Sequence, residues 1–392
     1  MTIRFNNPLL SSVMHQLRRT RPRLSAEVPF YNRVEKSHGG NYVEVWFLTS
    51  GCQWDARGSC TMCNYGQGPN RTEDEIVEAV RQGLAAIDVD VRELVVSPSG
   101  SMLDPLEVPI NARRRIYTLI NDFPAPKFTF ETRAETVNGE AIKEFVESIP
   151  GKQLGVEIGL ESSNGWIQRF CVNKGSHPKQ FIEASRILTS NNINVYANIS
   201  LGTAFLNPGE SIKDALDSTR WALTNGADIA VLFPIHVKPY TLLAWLYQKG
   251  LYRPPSLWSL VEVLYQLGPE LMSRTEISWY RNYYNDPSKV IASPTTCNRC
   301  QEEVLGLLDE YRNFQSPSVI NQLRGIQCEC KDAWKEEINN SPTLPLPYRV
   351  LETYRELANY FLPDNWWSLH NSTLQHELLN SYFATPGVLN VD

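Results

Sequence analysis

The sequence predicts an α/β fold, a partial (β/α)6 barrel followed by a C-terminal accessory region with a four-cysteine metal site. Between residues 42 and 240, short apolar runs alternate with amphipathic segments. After Tyr240 this rhythm stops, and the remainder is rich in Trp and Tyr and holds two close pairs of cysteines. The chain has 392 residues, 42% of them hydrophobic and 20% charged. This composition is typical of a globular protein, and the length allows a barrel of roughly 200 residues plus an accessory domain.

The predicted barrel consists of six β-then-α units. The first apolar run, 42–48, is rich in β-branched and aromatic residues and predicts a strand. Further strands are predicted at 94–96, 128–130, 154–160, 193–201 and 229–233. Apolar residues at helical spacing predict helices at 73–87, 110–120, 141–146, 177–188 and 211–223. Such a series requires right-handed crossovers and a parallel sheet that curls, so its chemistry belongs at the C-terminal ends of the strands.

The chain is expected to have three parts. Residues 1–41 are polar and predict an irregular lead-in, 42–240 form the barrel, and 241–392 form the accessory region. Pro254 and Pro255 break the pattern at the start of that region, and its cysteines lie within about 290–340.

The charge of the chain restricts which macromolecules it could bind. The formal charge is −6, whereas proteins that bind nucleic acid by themselves usually carry a basic stripe. The densest basic run, Arg18, Arg19, Arg21 and Arg23, is best interpreted as a solvated terminal segment. The composition therefore permits an RNA substrate without favouring one.

The sequence shows neither a signal peptide nor the ~20 apolar residues of a membrane span, so we expect a cytoplasmic protein without membrane contact. The sequence has eight cysteines, and in that reducing compartment we expect the clustered ones to be metal ligands or catalytic thiols rather than disulfides.

The first cysteine group is Cys52, Cys60 and Cys63, spaced C-x7-C-x2-C on the loop after the first strand. Three thiolates can hold three irons of a [4Fe-4S] cluster, which leaves the fourth iron for the amine and carboxylate of S-adenosylmethionine (SAM). Reductive cleavage of SAM there would give a 5′-deoxyadenosyl radical. The alternatives are a zinc site without its fourth ligand and a buried thiol cluster. The zinc alternative is disfavoured because structural zinc normally has four protein ligands and the nearest histidine, His38, precedes the strand.

Polar groups at the later strand ends predict a SAM pocket. Small residues close the second strand, and charged residues close the third and fourth, although ordinary turns and helix caps would have the same composition. Met62 lies between two of the cysteines. The expected pocket residues are Met62, Ser99, Gly100, Ser101, Glu131, Arg133 and Glu161.

The second cysteine group is Cys297 and Cys300, followed by Cys328 and Cys330, with a linker of helical character between the pairs. Four thiolates in two pairs indicate a metal site. Zinc is favoured, and an auxiliary [4Fe-4S] cluster is the alternative. The charged residues around both pairs predict an exposed structural knuckle.

Three residues outside the two cysteine groups have their own predicted roles. Cys171 is expected to be a small buried core residue. His236 and Lys238 follow the sixth strand, and one of them is expected to contact substrate. That expectation depends on position alone, and a surface-loop role is an equal alternative.

Several segments resemble the radical-SAM subunit of archaeosine synthase, which is related to the radical-SAM proteins of the Elongator catalytic-subunit type. The similar segments are 49–52, 60–65, 159–162, 173–175, 252–255 and 257–259, together with both late cysteine pairs. The resemblance covers about 42–335. It implies a barrel in which Cys52, Cys60 and Cys63 hold the cluster, while residues 99–101, Arg133 and Glu161 line the SAM pocket. In that family the radical cleaves a C–N bond in a lysine-modified deazaguanine of tRNA.

The expected function is therefore that of a radical SAM enzyme that abstracts hydrogen from its substrate. The acidic charge and the lack of an added RNA-binding domain leave two substrates open, a modified tRNA nucleoside and a small-molecule metabolite of a biosynthetic pathway. A zinc-stabilised RNA-binding module without catalysis is a third hypothesis. The expected partners are an external reductant of flavodoxin or ferredoxin type and a protein that delivers substrate.

Overall fold

The computed structural model describes residues 7–22, 29–284, 286–340 and 342–383. An eight-stranded sheet forms its centre, with the strands in chain order from one edge to the other. The first pair is antiparallel and every later pair is parallel. The strands are β1 (Phe30–Ser37), β2 (Gly40–Phe47), β3 (Glu93–Pro98), β4 (Lys127–Thr132), β5 (Gln153–Glu161), β6 (Asn194–Leu201), β7 (Ile229–Pro234) and β8 (Thr275–Ile277).

Helices connect the parallel strands and cover the outer face of the sheet. Local sequence explains several of their starts, since Thr72 and Glu75 form a reciprocal capping box, as do Asn207 and Glu210. The helices are α1 (Pro8–Arg19), α2 (Gln53–Arg57), α3 (Glu73–Ala85), α4 (Ile110–Asp122), α5 (Gly139–Ser148), α6 (Gly165–Ile167), α7 (Pro178–Thr189), α8 (Pro208–Thr224), α9 (Leu242–Gln248), α10 (Leu257–Met272), α11 (Gln301–Phe314), α12 (Pro317–Gly325), α13 (Glu329–Asn339), α14 (Leu346–Phe361) and α15 (Trp366–Phe383).

The predicted partial barrel is confirmed, since its six strands correspond to β2–β7. The sheet adds β1 and β8 at its two edges, and in the described residues the order runs from β1 to β8 without closure. The irregular lead-in is wrong for the described residues, because α1 and β1 are regular elements. The apolar pattern did not predict strand β1, because this strand buries a charged residue. Arg33 of β1 forms an ion pair with Glu44 of β2 at 2.6 Å.

The core has two parts. The larger one lies between the sheet and the barrel helices and continues without a break into α11, α12 and α13 of the accessory region. The smaller one lies beneath the first cysteine loop, where α1 and α9 pack with α14 and α15. The boundary at 240 therefore stays a prediction. In the described residues, the helices contain no segment that is both long and apolar enough to span a bilayer.

Candidate functional site

A cavity at the C-terminal ends of the strands brings together most of the predicted site residues. Met62 and the three cysteines of the first group enter it from the loop after β2, and the others enter it from the ends of later strands. The predicted residues that line it are Cys52, Cys60, Met62, Cys63, Gly100, Glu131, Arg133, Glu161, His236 and Lys238.

The loop that carries the three cysteines, residues 51–65, follows β2 directly and folds back on itself. The amide of Cys63 donates to the carbonyl oxygen of Cys60 at 3.1 Å, which forms the turn of the C-x2-C spacing. Gly51 has a φ of +97°, and a side chain there would collide with the backbone of residues 65 and 66. Only glycine therefore permits this return of the chain.

The N-terminal segment clamps this loop from outside. Both guanidinium nitrogens of Arg21 donate to the Asp55 carboxylate, at 3.0 and 2.5 Å, and the hydroxyl of Ser59 donates to the same carboxylate at 2.9 Å. The Arg21 side chain is only 4% exposed. The expectation of a solvated basic segment is therefore wrong for Arg21. Arg23 lies outside the described residues.

A second clamp comes from Asn173, which follows the short π-helical turn Gln168–Val172. Its side chain accepts from the amide of Asn7 and donates to the carbonyl oxygens of Gly58 and Ser59, all at 2.8–3.0 Å. Asn173 is fully buried and has a positive φ of 56°. The loop is thus fixed by contacts with two distant parts of the chain.

The three thiols of the loop are half-buried in the cavity wall, and desolvation raises the pKa of each, to about 12 for Cys63. Each thiol also has a basic side chain near it that opposes this rise in pKa. Arg133 acts on Cys52, Lys174 on Cys60 and Lys238 on Cys63. The site therefore supplies one cation for each thiolate that a metal cluster would require.

Arg133 links the first loop to the end of β4. It donates to the sulfur of Cys52 at 3.3 Å and forms ion pairs with Asp104, Glu107 and Glu135. Glu107 in turn accepts from the amide of Gln53 at 2.7 Å. This network orders the backbone on both sides of Cys52.

Ser99 and Ser101 are buried behind the cavity lining rather than in it. The hydroxyl of Ser99 accepts from the amide of Thr49 at 3.0 Å, and that of Ser101 accepts from the amide of Arg133 at 3.2 Å. They hold the loops in place, and SAM contact stays a prediction for them.

Glu161 lies at an irregularity in β5, where the register with β6 shifts between Gly159 and Glu161 and φ of Glu161 is +66°. Such a bulge redirects a side chain. The Glu161 carboxylate accepts from Lys174 at 3.1 Å and from the hydroxyl of Ser200.

His236 and Lys238 both line the cavity but differ in their contacts. The ring nitrogens of His236 are both occupied, with Nε2 donating to the carbonyl oxygen of Trp279 at 2.6 Å and Nδ1 lying 3.1 Å from the hydroxyl of Ser293. Burial lowers the pKa of His236 to about 4. The Nζ of Lys238 lies 4.4 Å from the centre of the Tyr65 ring, and burial lowers its pKa. Substrate contact by either residue stays a prediction.

The floor of the cavity holds polar groups that the sequence analysis missed, among them Glu44, Glu157, Lys174 and Asn198. Glu44 lies on β2, Glu157 on β5 and Asn198 on β6. For the two glutamates, a charged residue inside an otherwise apolar predicted strand was the available signal. Cys171, in contrast, is fully buried outside the cavity lining, as expected of a core residue.

The four later cysteines come together as predicted. Their sulfurs all lie within 4.8 Å of one another, and four of the six separations are 3.3–3.7 Å. The indole nitrogen of Trp258 donates to the sulfur of Cys330 at 3.3 Å. A hydrogen bond from the Cys328 thiol lowers the pKa of Cys297 to about 6. Cys300 is buried in the main core, so the knuckle is only partly exposed.

Comparisons with known proteins agree with this geometry. The chain is 29% identical over 299 residues to archaeosine synthase subunit beta of Methanosarcina acetivorans, which covers 75% of this chain and 84% of that protein. It is 27% identical over 313 residues to the subunit of the same name from Thermococcus kodakarensis, with 77% and 93% covered. This chain resembles archaeosine synthase subunit beta over about three quarters of its length.

Solved structures with a related arrangement have lower similarity to this chain. One is an N-terminally truncated Elp3 of Methanocaldococcus infernus, with 16% identity, a TM-score of 0.47, and 65% of this chain and 60% of that chain covered. Another is a queuine lyase from Clostridium spiroforme bound to SAM and queuine, with 17% identity, a TM-score of 0.41, and 64% and 94% covered. No family model matches the chain.

Proposed function

We propose that Cys52, Cys60 and Cys63 hold a [4Fe-4S] cluster and that the chain cleaves SAM reductively to abstract hydrogen from a bound substrate. The observation that supports this most directly is that three thiols of one loop line one cavity, each with its own basic neighbour. The same cavity holds the polar strand ends that would receive SAM.

The residues fit such a cluster. A cubane attaches each thiolate to a different iron, so its sulfurs are spaced more widely than those around a single ion. Cys52, Cys60 and Cys63 do not form a group as tight as the four later cysteines. When bound, the cluster and SAM supply an electron transfer that cleaves the sulfonium bond and gives a carbon-centred radical.

The chain's own residues provide binding, orientation and shielding. Arg133 donates a hydrogen bond to the Cys52 sulfur, and such bonds influence the potential of a cluster. Glu161, Arg133 and the backbone at Gly100 would bind the polar groups of SAM. The clamps at Asp55 and Asn173 hold the loop, so that ligand positions are fixed before a cluster binds.

For the substrate, the relatives favour a modified tRNA nucleoside. Both are named archaeosine synthase subunit beta, a name that includes a second subunit. We infer that this chain acts with a partner that delivers the substrate, because its own charge of −6 provides little attraction for RNA. An external reductant of flavodoxin or ferredoxin type would supply the electron.

For the second site, zinc fits better than an auxiliary cluster. Zn–S bonds of about 2.3 Å in a tetrahedron place the sulfurs roughly 3.8 Å apart. Four of the six sulfur–sulfur separations are 3.3–3.7 Å and all lie within 4.8 Å, a spacing that favours a single ion. A cubane would require wider spacing of the sulfurs.

The test of the main proposal is SAM turnover. Anaerobically reconstituted protein with dithionite should yield 5′-deoxyadenosine and methionine, and Cys52→Ala, Cys60→Ala and Cys63→Ala variants should yield none. Cys171→Ala is the matched control, because this thiol is buried outside the cavity lining. Absence of both products from wild-type protein under oxygen-free reducing conditions would refute the proposal.

The same preparations test the second metal. The triple variant of the first cysteine group should retain about one zinc per chain and no iron-sulfur chromophore. If instead about four irons per chain and a brown colour persist in the triple variant, the second site is a cluster.

A further inference from the structure

The strands that form the wall of the cavity contribute three carboxylates to it in addition to Glu161. Glu44 lies on β2, Glu131 on β4 and Glu157 on β5, and Glu131 and Glu157 are direct register partners on adjacent strands. All three lie on the wall of the cavity that contains the first cysteine loop, and none belongs to the proposed cluster ligands. These three residues and Asn198 of β6 are referred to below as the acidic floor.

Of the three carboxylates of the acidic floor, one has an ion pair with a described residue. Glu44 pairs with Arg33 at 2.6 Å. The carboxylate of Glu131 forms neither a hydrogen bond nor an ion pair with another described residue, and Glu157 accepts only a long hydrogen bond of 3.3 Å from Asn198. Burial and the neighbouring carboxylates raise the pKa of Glu131 to about 7 and raise that of Glu157 well above its ordinary value. Two carboxylates therefore face the cavity without a counter-ion in contact.

Asn198 provides a second, independent sign of a missing ligand. Its side chain is 7% exposed and lines the cavity. Its amide nitrogen donates to Glu157, while its carbonyl oxygen Oδ1 is buried without any hydrogen-bond partner. Buried polar atoms in native proteins are normally paired, so an unpaired acceptor at a cavity wall indicates a donor that the protein itself does not supply.

The basic side chains around the cavity have other contacts. Lys174 pairs with Glu161 at 3.1 Å, Arg33 pairs with Glu44, and the Nζ of Lys238 lies over the ring of Tyr65. The groups left over at the floor are therefore hydrogen-bond acceptors, two of them acidic.

We propose that the acidic floor binds a cationic, N–H-bearing group of the substrate, such as a primary ammonium or an amidinium. Such a group offers several donors and a positive charge to Glu131, Glu157 and the Oδ1 of Asn198 at once. This inference rests on the proposed function and deepens it, because it assigns to the proposed radical SAM site the chemical class of the substrate group that contacts the acidic floor.

The test is binding of a charged probe and its neutral counterpart to the reconstituted full-length protein. Pentylammonium and 1-pentanol have the same length and differ in charge. Wild-type protein should bind pentylammonium at least about tenfold more tightly than 1-pentanol, as expected for a charge-assisted hydrogen bond in a buried site. Titration calorimetry at mildly alkaline pH, where Glu131 is ionised, measures both affinities.

Three variants locate the effect. Glu157→Gln and Glu131→Gln should each remove most of the preference for pentylammonium, because they keep the shape and lose the charge. Glu276→Gln is the matched control: this carboxylate also lies in the barrel but pairs with His38 at 2.9 Å and does not line the cavity. That variant should keep the preference. Thermal melts confirm that each variant is folded.

Two outcomes would overturn the inference: equal affinity of wild-type protein for both probes, or a preference that persists when both Glu131 and Glu157 are replaced by Gln. The first needs no variant, so it applies even if a substitution prevents folding. SAM cleavage by wild-type protein, measured on the same preparation, reports on the proposed function separately. Cleavage without a probe preference would overturn this inference alone.

Discussion

The clamp between Arg21 and Asp55 gives the most specific prediction about how the N-terminal segment supports the site. Arg21→Ala would remove a two-pronged ion pair in which the two side chains are 4% and 6% exposed. Asp55 belongs to α2, inside the loop that carries the three cysteines. The substitution would therefore leave a buried carboxylate next to the proposed cluster ligands without its main counter-ion.

The cost follows from the burial of the pair. Removal of one partner from a buried ion pair typically costs about 3–5 kcal/mol, because the other charge stays desolvated. Ser59 still donates to Asp55 at 2.9 Å, and Arg18 approaches it at 3.9 Å, which places the expected loss at the lower end of that range. We expect the free energy of unfolding to fall by about 3 kcal/mol. The loosened loop should also take up less iron on reconstitution.

The assay is urea unfolding of wild-type protein, Arg21→Ala, Asp55→Ala and the double variant, combined with iron analysis. The double-mutant cycle should give a coupling energy of about 1–3 kcal/mol. Arg81→Ala is the matched control, because its ion pair with Glu78 is exposed and should contribute below about 1 kcal/mol. Additive single losses, or full iron content in Arg21→Ala, would refute the idea that the N-terminal segment holds the loop.

Three further predictions concern other buried groups. Burial raises the pKa of Asp214 from 3.8 to about 7, so this group stabilises the fold most below pH 4 and its contribution is lost as the pH rises towards 7. Asp214→Asn should therefore stabilise the protein above pH 7, by at most about 4 kcal/mol, as measured by unfolding across pH. Trp258→Phe removes the donor to Cys330 and should weaken metal binding at the second site about 10–100-fold in a chelator competition. His236→Ala leaves the carbonyl of Trp279 without its donor and should cost about 1–3 kcal/mol in urea unfolding.

Each of these has an outcome that contradicts it. A pH profile of Asp214→Asn that runs parallel to that of wild type would show that Asp214 does not titrate as described. Trp334→Phe is the control for Trp258, because its indole donates to the hydroxyl of Ser259 and not to a thiol. Equal metal affinity in both Trp variants would remove the role given to Trp258. Unchanged stability of His236→Ala would exclude a structural function for that ring, while lost turnover in a stable variant would favour substrate contact.

Much of the fold could be predicted because its signals are local. The apolar runs at 42–48 and 193–201 mark strands by themselves, and the intervening helices follow from their periodicity. The C-x7-C-x2-C and C-x2-C spacings fix which sulfurs can share a metal. Each of these patterns lies within one short segment, so the sequence alone is enough to recognise it.

The missed features depend on partners that are distant in sequence. Strand β1 buries Arg33, which a local pattern counts as exposed, because Glu44 and Glu35 compensate its charge. Arg21 looked like a solvated terminal residue because its partner Asp55 lies 34 positions away. In the sequence, the floor carboxylate Glu157 is a single charge within an apolar strand. In the folded chain, β4 and β6 place Glu131 and Asn198 beside it.

The sequence by itself therefore determined which cysteines could carry metal chemistry, since their number, type and spacing and their place after the first strand are properties of short segments. Only the tertiary structure decided how that chemistry is supported: which cation faces each thiol, how far apart the four later sulfurs lie, and which carboxylates face the cavity without a counter-ion. The reason is that hydrogen bonds, burial and charge act through space. Residues such as Arg133 and Cys52, 81 positions apart in the chain, become neighbours only when the barrel has formed.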